Sequence, residues 1–132
     1  MPDTRRRPRV FVVDDEQVIA STLATILRKN GFDAISFTEP IEALEAADLE
    51  APDLLISDVV MPGLSGIDLA VQLQERCPNC HVLLFSGQAA TAGMLETARA
   101  NGHDFELLLK PVHPADLLRE INKVTRDSPT VS

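Results

Sequence analysis

The chain has 132 residues and a formal net charge of −8 at pH 7, with 20 acidic residues against 12 lysines and arginines. This length fits one compact domain that needs no disulfide or structural metal, and the negative charge disfavours general binding to nucleic acids or anionic membranes. Trp and Tyr are absent and Phe occurs only five times, so we expect no aromatic platform for base stacking.

The two ends of the chain differ in composition from its middle. Residues 1–8 contain the run Arg5-Arg6-Arg7, which is too short and isolated to indicate nucleic-acid binding, and we expect a disordered basic arm. The arm has no apolar segment typical of a signal peptide, and no apolar stretch approaches the roughly 18–20 residues of a membrane helix. Residues 126–132 predict a frayed tail. We therefore expect a cytoplasmic protein with one domain over residues 9–125.

The first predicted elements are a strand and a helix. Arg9–Val13 is rich in β-branched residues and predicts a buried strand. Glu16–Lys29 predicts a helix, and Asn30 and Gly31 end it because both tolerate left-handed backbone angles. The apolar residues at helical spacing in this helix are Val18, Ile19, Leu23, Ile26 and Leu27.

The second quarter of the chain repeats this alternation. Phe32–Phe37 predicts a second strand, and Thr38 is a candidate N-cap for a short helix over Ile41–Ala47. A third strand at Asp53–Ser57 runs into Asp58. The helix that follows covers Ser65 to Arg76. Its inward residues are Ile67, Leu69, Ala70 and Leu73.

Four more elements complete the pattern. His81–Phe85 predicts the fourth strand and Ala89–Ala100 the fourth helix, which Asn101-Gly102 ends. Glu106–Leu109 predicts the fifth strand and Pro114–Thr125 the last helix. Five strands alternating with five helices indicate an α/β fold, and nearly continuous apolar strands indicate a parallel sheet covered on both faces. We predict a doubly wound five-stranded parallel sheet with the strand order 2-1-3-4-5.

The segment Cys77-Pro-Asn-Cys80-His81 matches both a haem-attachment and a Cys-x-x-Cys redox pattern. Haem attachment requires export, and a thioredoxin-like pair opens a helix, whereas this pair follows a helix and precedes a strand. A zinc site would need a second ligand pair nearby. We expect free thiols without a chemical role.

Polar residues end the predicted strands. Strand one ends at Asp14 and Asp15, strand three at Asp58, strand four at Ser86 and strand five at Lys110. Ligands bind at the carboxyl ends of the strands in such sheets, so these side chains should meet at one edge. Two carboxylates about 4 Å apart repel by roughly 4 kcal/mol at an effective dielectric near 20. A cluster of three therefore predicts compensation by Lys110 and by a hard divalent cation such as Mg²⁺.

The strand-end residues stand within four longer motifs. The motifs are Val12-Val13-Asp14-Asp15-Glu16, Pro52-Asp53-Leu54-Leu55-Ile56-Ser57-Asp58-Val59-Val60-Met61-Pro62-Gly63-Leu64-Ser65-Gly66, Ser86-Gly87 and Lys110-Pro111. Together they resemble a known family, the response regulator receiver domain of two-component signalling. The resemblance covers about residues 9–125, and the order and spacing of the motifs both match.

The resemblance implies a phosphoacceptor and a metal site. Asp58 would accept a phosphoryl group from a phosphohistidine on a sensor histidine kinase or a histidine phosphotransfer protein. Asp15 would bind Mg²⁺ directly, and Asp14 partly through water. Asp58 and the backbone carbonyl of Val60 would complete the protein ligands.

The resemblance also implies how the phosphoryl group is sensed. Lys110 would pair with the phosphoryl oxygens, and Ser86 would turn its hydroxyl towards them, moving the loop before helix four. The surface of strand four, helix four, strand five and helix five would then bind a downstream effector protein, or the chain would form a weak homodimer through helix four, strand five and helix five. Such a protein catalyses only its own phosphorylation and dephosphorylation, and we expect no direct nucleic-acid or membrane binding.

One position departs from the family pattern. The family usually has an aromatic switch residue three positions before the lysine, where this chain has Leu107. Phe105 lies five positions before Lys110, and it is either a substitute for the switch residue or an ordinary core residue. His103 and His113 flank this region and are interpreted as surface or capping residues.

Other classes of function fit the motifs less well. A flavodoxin-like FMN-binding protein would share the sheet order, but Asp14-Asp15-Glu16 would repel phosphate after strand one. A Mg²⁺-dependent aspartyl phosphohydrolase would carry its nucleophile after the first strand, in an Asp-x-Asp motif. A receiver-like protein-docking module that works without phosphate is the remaining alternative, against which the acidic set and Lys110 argue.

Overall fold

A computed structural model of the chain describes residues 7–87, 91–102, 105–109 and 113–126. Within these ranges the strands form one parallel sheet with the order β2-β1-β3-β4-β5, as predicted. The strands are β1 (Arg9–Val13), β2 (Asp33–Phe37), β3 (Leu54–Asp58), β4 (His81–Ser86) and β5 (Glu106–Leu109).

Helices follow the strands in alternation, which confirms the α/β pattern. Their bounds differ from the sequence prediction by a few residues at most. The helices are α1 (Gln17–Lys29), α2 (Pro40–Leu49), α3 (Gly66–Arg76), α4 (Thr91–Ala100) and α5 (Pro114–Arg126).

The core consists of two layers, one on each face of the sheet. Alternate strand residues point to opposite faces, so Val10, Val12, Leu54 and Ile56 pack with buried residues of α1 and α5. Phe11, Leu55 and the buried residues of α2 and α3 form the other layer. All five residues of β3 are buried, as expected for a strand that lies between two neighbours and is covered on both faces.

Two local predictions are wrong. Val18, placed on the apolar stripe of α1, is 76% exposed. The stripe that packs on the sheet is centred on Ala20, Ala24 and Leu27, which lie on one face at 100° per residue, whereas Val18 lies about 200° from Ala20. Thr38 does not cap α2: the N-cap residue is Glu39, without a side-chain capping bond, and Pro40 begins the helix.

Pro40 lies in the first turn of α2, where its fixed φ angle suits the start of a helix. It also lacks the backbone N–H that would have no partner within the helix at this position. The predicted end of α1 is confirmed at Gly31, where φ is +95°, while Asn30 keeps a negative φ.

Predicted features at residues 1–6, Ala89, His103, Lys110, Pro111 and 127–132 lie outside the described residues. Among the described helices, none has both the length and the apolar character to span a membrane.

Candidate functional site

The carboxyl ends of β1, β3 and β4 lie side by side at one edge of the sheet. Val13 pairs with Ser57, and Asp58 pairs with Phe85, so the strand ends are level with one another. Parallel strands present the residues that follow them at the same edge. This register brings Asp14, Asp15 and Asp58 together, as the sequence predicted.

These three aspartates form a compact acidic cluster. One carboxylate oxygen from each residue lies within 4.8 Å of those of the other two. Asp14 is 1% exposed and Asp58 8% exposed, while Asp15 is exposed to solvent. The cluster is therefore open to water on the side of Asp15, and a small ligand could reach it from there.

Two hydrogen bonds hold Asp14 in its buried position. Its backbone N–H donates to the carbonyl of Phe37 at 3.1 Å, which extends the pairing of β1 with β2 by one residue. Its Oδ1 accepts a hydrogen bond of 2.9 Å from the N–H of Glu16. This second bond closes a turn in the connection between β1 and α1.

Asp58 is fixed by the backbone around it. Val59, the next residue, donates its N–H to the carbonyl of Phe85 at 3.0 Å. On the other side, Gly66 donates its N–H to the carbonyl of Val59 at 2.8 Å. A Cβ built on Gly66 would overlap the backbone carbonyl oxygen of Asp58, so the first turn of α3 approaches the end of β3 as closely as only glycine allows.

The donor set of the cluster suits a hard divalent cation. Three carboxylates this close repel one another, and oxygen ligands with several waters are the environment that Mg²⁺ prefers. Asp14, Asp15 and Asp58 could hold such an ion, since their oxygens are already close together. Val60 follows β3 in the loop at the same edge, and its backbone carbonyl as a further ligand stays a prediction.

Of the two other predicted site residues, the structure describes Ser86 but not Lys110. Ser86 is the last residue of β4 and is 1% exposed, in register with Leu109 of β5. It therefore lies at the same edge as the acidic cluster. Lys110 would follow Leu109 but lies outside the described residues, so its place in the site stays a prediction.

The structure describes three residues near β5 and α5 that the sequence analysis singled out: Phe105, Leu107 and His113. Phe105 precedes β5 and is buried in the core layer of α2 and α3, against which Leu107 is partly buried. This location fits the interpretation of Phe105 as a core residue. His113 is exposed and accepts a hydrogen bond from the N–H of Ala115 at Nδ1, 3.1 Å away, so it caps the start of α5 as predicted.

The two cysteines are free thiols, as predicted. Cys80 is buried just before β4, and burial, with smaller contributions from Cys77 and Asp53, raises the pKa of its thiol to about 12. Burial and then the charge of Asp48 raise the pKa of Cys77. Reactive cysteines have a lowered pKa, so this pair is not suited to nucleophilic chemistry.

Sequence reasoning gave no role to two residues beside Asp58. Ser57 is completely buried, and its hydroxyl donates to the carbonyl of Asp58 at 2.9 Å. Gly66 leaves the space that this carbonyl occupies. Both stand in the motif around Asp58, and a serine in an otherwise apolar buried strand was the signal that could have identified the first.

Comparisons with known proteins agree with this geometry. Residues 10–122 match the family model described as the response regulator receiver domain. The chain is 30% identical over 119 residues to the chemotaxis protein CheY of Thermotoga maritima, covering 89% of this chain and 98% of that protein. It is 31% identical to the transcriptional regulatory protein CreB of Escherichia coli, but spans only 57% of its length. A crystal structure of a response regulator receiver domain protein from Clostridium thermocellum has a TM-score of 0.82 at 26% identity, covering 95% of this chain and 99% of that one.

Proposed function

This chain belongs to the family of response regulator receiver domains, and we propose that it is a phosphoacceptor switch of a two-component system that carries its phosphoryl group on Asp58. The observation that carries the proposal is the acidic cluster, in which oxygens of Asp14, Asp15 and Asp58 lie within 4.8 Å of one another at the carboxyl edge of the sheet. The domain spans residues 9–125.

The cluster is also the proposed metal site. Asp15 would hold Mg²⁺ directly and Asp14 partly through water, and Asp58 and the Val60 carbonyl would supply the remaining protein ligands. Bound Mg²⁺ would neutralise the charge of the carboxylates and of the phosphoryl oxygens. The exposure of Asp15 supports this arrangement, because it gives both the ion and an anionic phosphodonor a path to the buried carboxylate of Asp58.

The reaction is a transfer between two nucleophiles. A lone pair of an Asp58 carboxylate oxygen forms a bond to phosphorus, and the bond from phosphorus to the donor's imidazole nitrogen breaks with its electron pair left on that nitrogen. Positioning and charge neutralisation contribute most to such transfers. The hydrogen bonds that hold the backbone beside Asp58 support the positioning. The chain thereby catalyses only its own phosphorylation and dephosphorylation.

The phosphoryl group adds about 1.5–2 negative charges and new acceptor oxygens at the sheet edge. Lys110 pairs with these oxygens and Ser86 donates its hydroxyl to them. Since Ser86 ends β4 beside the last residue of β5, its movement changes the surface of α4, β5 and α5. A local change in charge thus biases a surface with two conformations.

The partners follow from this cycle. The phosphodonor is a sensor histidine kinase or a histidine phosphotransfer protein, and the changed surface binds a downstream effector in the cytoplasm or a second copy of the chain. The chain spans about half the length of relatives such as CreB, and the output of this protein is proposed only at the level of protein binding, without direct nucleic-acid contact.

The test is intact-mass spectrometry after incubation with acetyl phosphate and Mg²⁺, on the wild type and on Asp58→Asn. We expect the mass of one phosphoryl group to be added in the wild type alone, and a chelator to abolish it. Labelling that persists in Asp58→Asn would identify another acceptor. No labelling of either protein, together with no detectable Mg²⁺ binding, would indicate a docking module that works without phosphate.

A further inference from the structure

We propose that Ser57 is a positioning residue for the phosphorylation site, because its hydroxyl fixes the peptide group that links Asp58 to Val59. This role rests on the proposed function of Asp58. The Ser57 hydroxyl would hold the backbone that joins Asp58 to Val60, the other proposed ligand on this strand end. Ser57 itself touches neither the metal nor the phosphoryl group in this role.

The peptide group between Asp58 and Val59 is held at both of its polar ends. Its carbonyl oxygen, on Asp58, accepts a hydrogen bond of 2.9 Å from the Ser57 hydroxyl. Its N–H, on Val59, donates to the carbonyl of Phe85 in β4 at 3.0 Å. With both ends bonded, the peptide plane cannot rotate without breaking one of the two hydrogen bonds.

The next peptide group is tied to α3. The carbonyl of Val59 accepts the N–H of Gly66 at 2.8 Å, and the Ser57 hydroxyl lies 3.0 Å from the position that a Cβ on Gly66 would take. The hydroxyl and the first residue of α3 therefore enclose the backbone of Asp58 from the same side. A side chain at either position that altered this contact would move the strand end relative to α3.

This backbone carries two of the proposed metal ligands. The carboxylate of Asp58 branches from one end of the fixed peptide group, and Val60, whose carbonyl is the other proposed ligand, is only one residue beyond it. A change in the ψ angle of Asp58 would shift the Val60 carbonyl relative to the Asp58 carboxylate. Active-site ligands must be held within about 0.5 Å of their productive positions, so loss of the Ser57 hydroxyl should weaken metal binding.

A buried serine could instead be an ordinary core residue whose hydroxyl is satisfied by the nearest carbonyl. In that case its removal would change the stability of the whole fold but leave the site unchanged once the protein is folded. The two interpretations therefore differ in measurements made on the folded protein. Ser21 supplies the matched control, because its hydroxyl donates to the carbonyl of Gln17 at 2.8 Å on the exposed face of α1, in a region with no proposed role.

The experiment compares the wild type with Ser57→Ala and Ser21→Ala in three measurements. Isothermal titration calorimetry gives the Mg²⁺ dissociation constant, and urea unfolding shows that each variant is folded under the assay conditions. Amide hydrogen exchange of Val59 and Gly66 is followed by NMR in the metal-free protein. We expect Ser57→Ala to raise the dissociation constant about fivefold, the equivalent of one lost hydrogen bond, and to accelerate exchange at both amides. Ser21→Ala should change neither.

The proposal is overturned if Ser57→Ala binds Mg²⁺ as the wild type does and keeps its exchange rates, whatever its unfolding free energy. If Ser57→Ala does not fold, Ser57→Cys replaces it, since a thiol is a weak donor, and the same two outcomes decide. Failure of the proposed function is distinguishable: the wild type itself would then bind no Mg²⁺ and gain no phosphoryl group. The exchange rates of the metal-free protein would still show whether Ser57 holds the backbone.

Discussion

Gly66, the first residue of α3, lies directly against the backbone carbonyl of Asp58, and no side chain fits at position 66. Gly66→Ala would place a methyl group where the carbonyl oxygen stands. Either α3 or the end of β3 must then move, and we expect a loss of about 1–3 kcal/mol in the free energy of unfolding. Urea unfolding followed by circular dichroism measures this loss.

Gly93 is the matched control for this substitution. It lies inside α4, and a Cβ added there meets no atom within 4 Å. Since alanine is the better helix former, Gly93→Ala should raise the free energy of unfolding by about 0.5–1 kcal/mol. Equal effects of the two substitutions would contradict the close approach of α3 to Asp58.

The acidic cluster predicts opposite effects of Asp15→Asn with and without metal. In the presence of a chelator, the substitution removes one charge from three that repel one another, so the midpoint of thermal unfolding should rise. With Mg²⁺, a ligand is lost, and the metal should bind at least about tenfold more weakly. Differential scanning calorimetry across a Mg²⁺ titration measures both effects.

Glu16→Gln is the control for the change in net charge. Glu16 is also exposed and adjacent in sequence, but it is not part of the cluster. We expect Glu16→Gln to leave the Mg²⁺ dissociation constant unchanged. If the two variants respond alike to Mg²⁺, the ion is not bound by the cluster. The wild type should gain about 2.7 kcal/mol in unfolding free energy when Mg²⁺ reaches 100 times its dissociation constant.

The position of the acidic cluster was predictable because it depends on topology alone. Once the sheet is parallel, the residues that end its strands meet at one edge, and Asp14 and Asp58 need no further information to be placed there. The core was predictable from the same topology, because the apolar run Leu54-Leu55-Ile56 lies in the middle of the sheet and is buried on both faces.

The details that failed depend on orientation and local contacts. The stripe of α1 is set by the rotation of the helix on the sheet, where small residues such as Ala20 and Ala24 allow close packing and Val18 points away. Hydrophobicity alone favoured Val18. The roles of Ser57 and Gly66 depend on how near α3 comes to β3, a distance that no spacing in the sequence encodes.

Phe105 and Leu107 predict different consequences of truncation. Phe105 is 6% exposed within the core layer of α2 and α3, and Leu107 is only partly buried against it. Phe105→Ala should therefore cost about 3–5 kcal/mol of unfolding free energy, and Leu107→Ala clearly less. Urea unfolding compares the two variants.

Labelling and partner binding of a Phe105 variant show whether Phe105 is a core residue or a switch residue. Phe105→Leu retains an apolar side chain of similar reach, so labelling by acetyl phosphate and binding of partners to the phosphorylated form should both persist. Loss of partner binding with normal labelling would show instead that Phe105 acts as the aromatic switch that Leu107 cannot provide.

The buried thiol of Cys80 predicts a decline in stability at alkaline pH. Its pKa in the folded protein is raised to about 12 from an ordinary 9.0, chiefly by burial. In the unfolded chain the thiol ionises near its ordinary value, so ionisation favours unfolding as the pH increases. The stability contributed by the protonated thiol is fully present below pH 9.0 and is lost between that pH and about 12.

Urea unfolding at pH 8 and pH 10 measures this decline in the wild type, Cys80→Ala and Cys77→Ser. Cys80→Ala should lose less unfolding free energy between the two pH values than the wild type, since it has no buried thiol to ionise. Cys77→Ser retains the buried Cys80 and should keep most of the wild type's decline, because burial is the main cause of the raised pKa of Cys80 and Cys77 a smaller one. Native alkylation with iodoacetamide, mapped by peptide mass spectrometry, should label the half-buried Cys77 before the buried Cys80. Faster labelling of Cys80 would show that the turn before β4 opens and that its thiol is not held in the core.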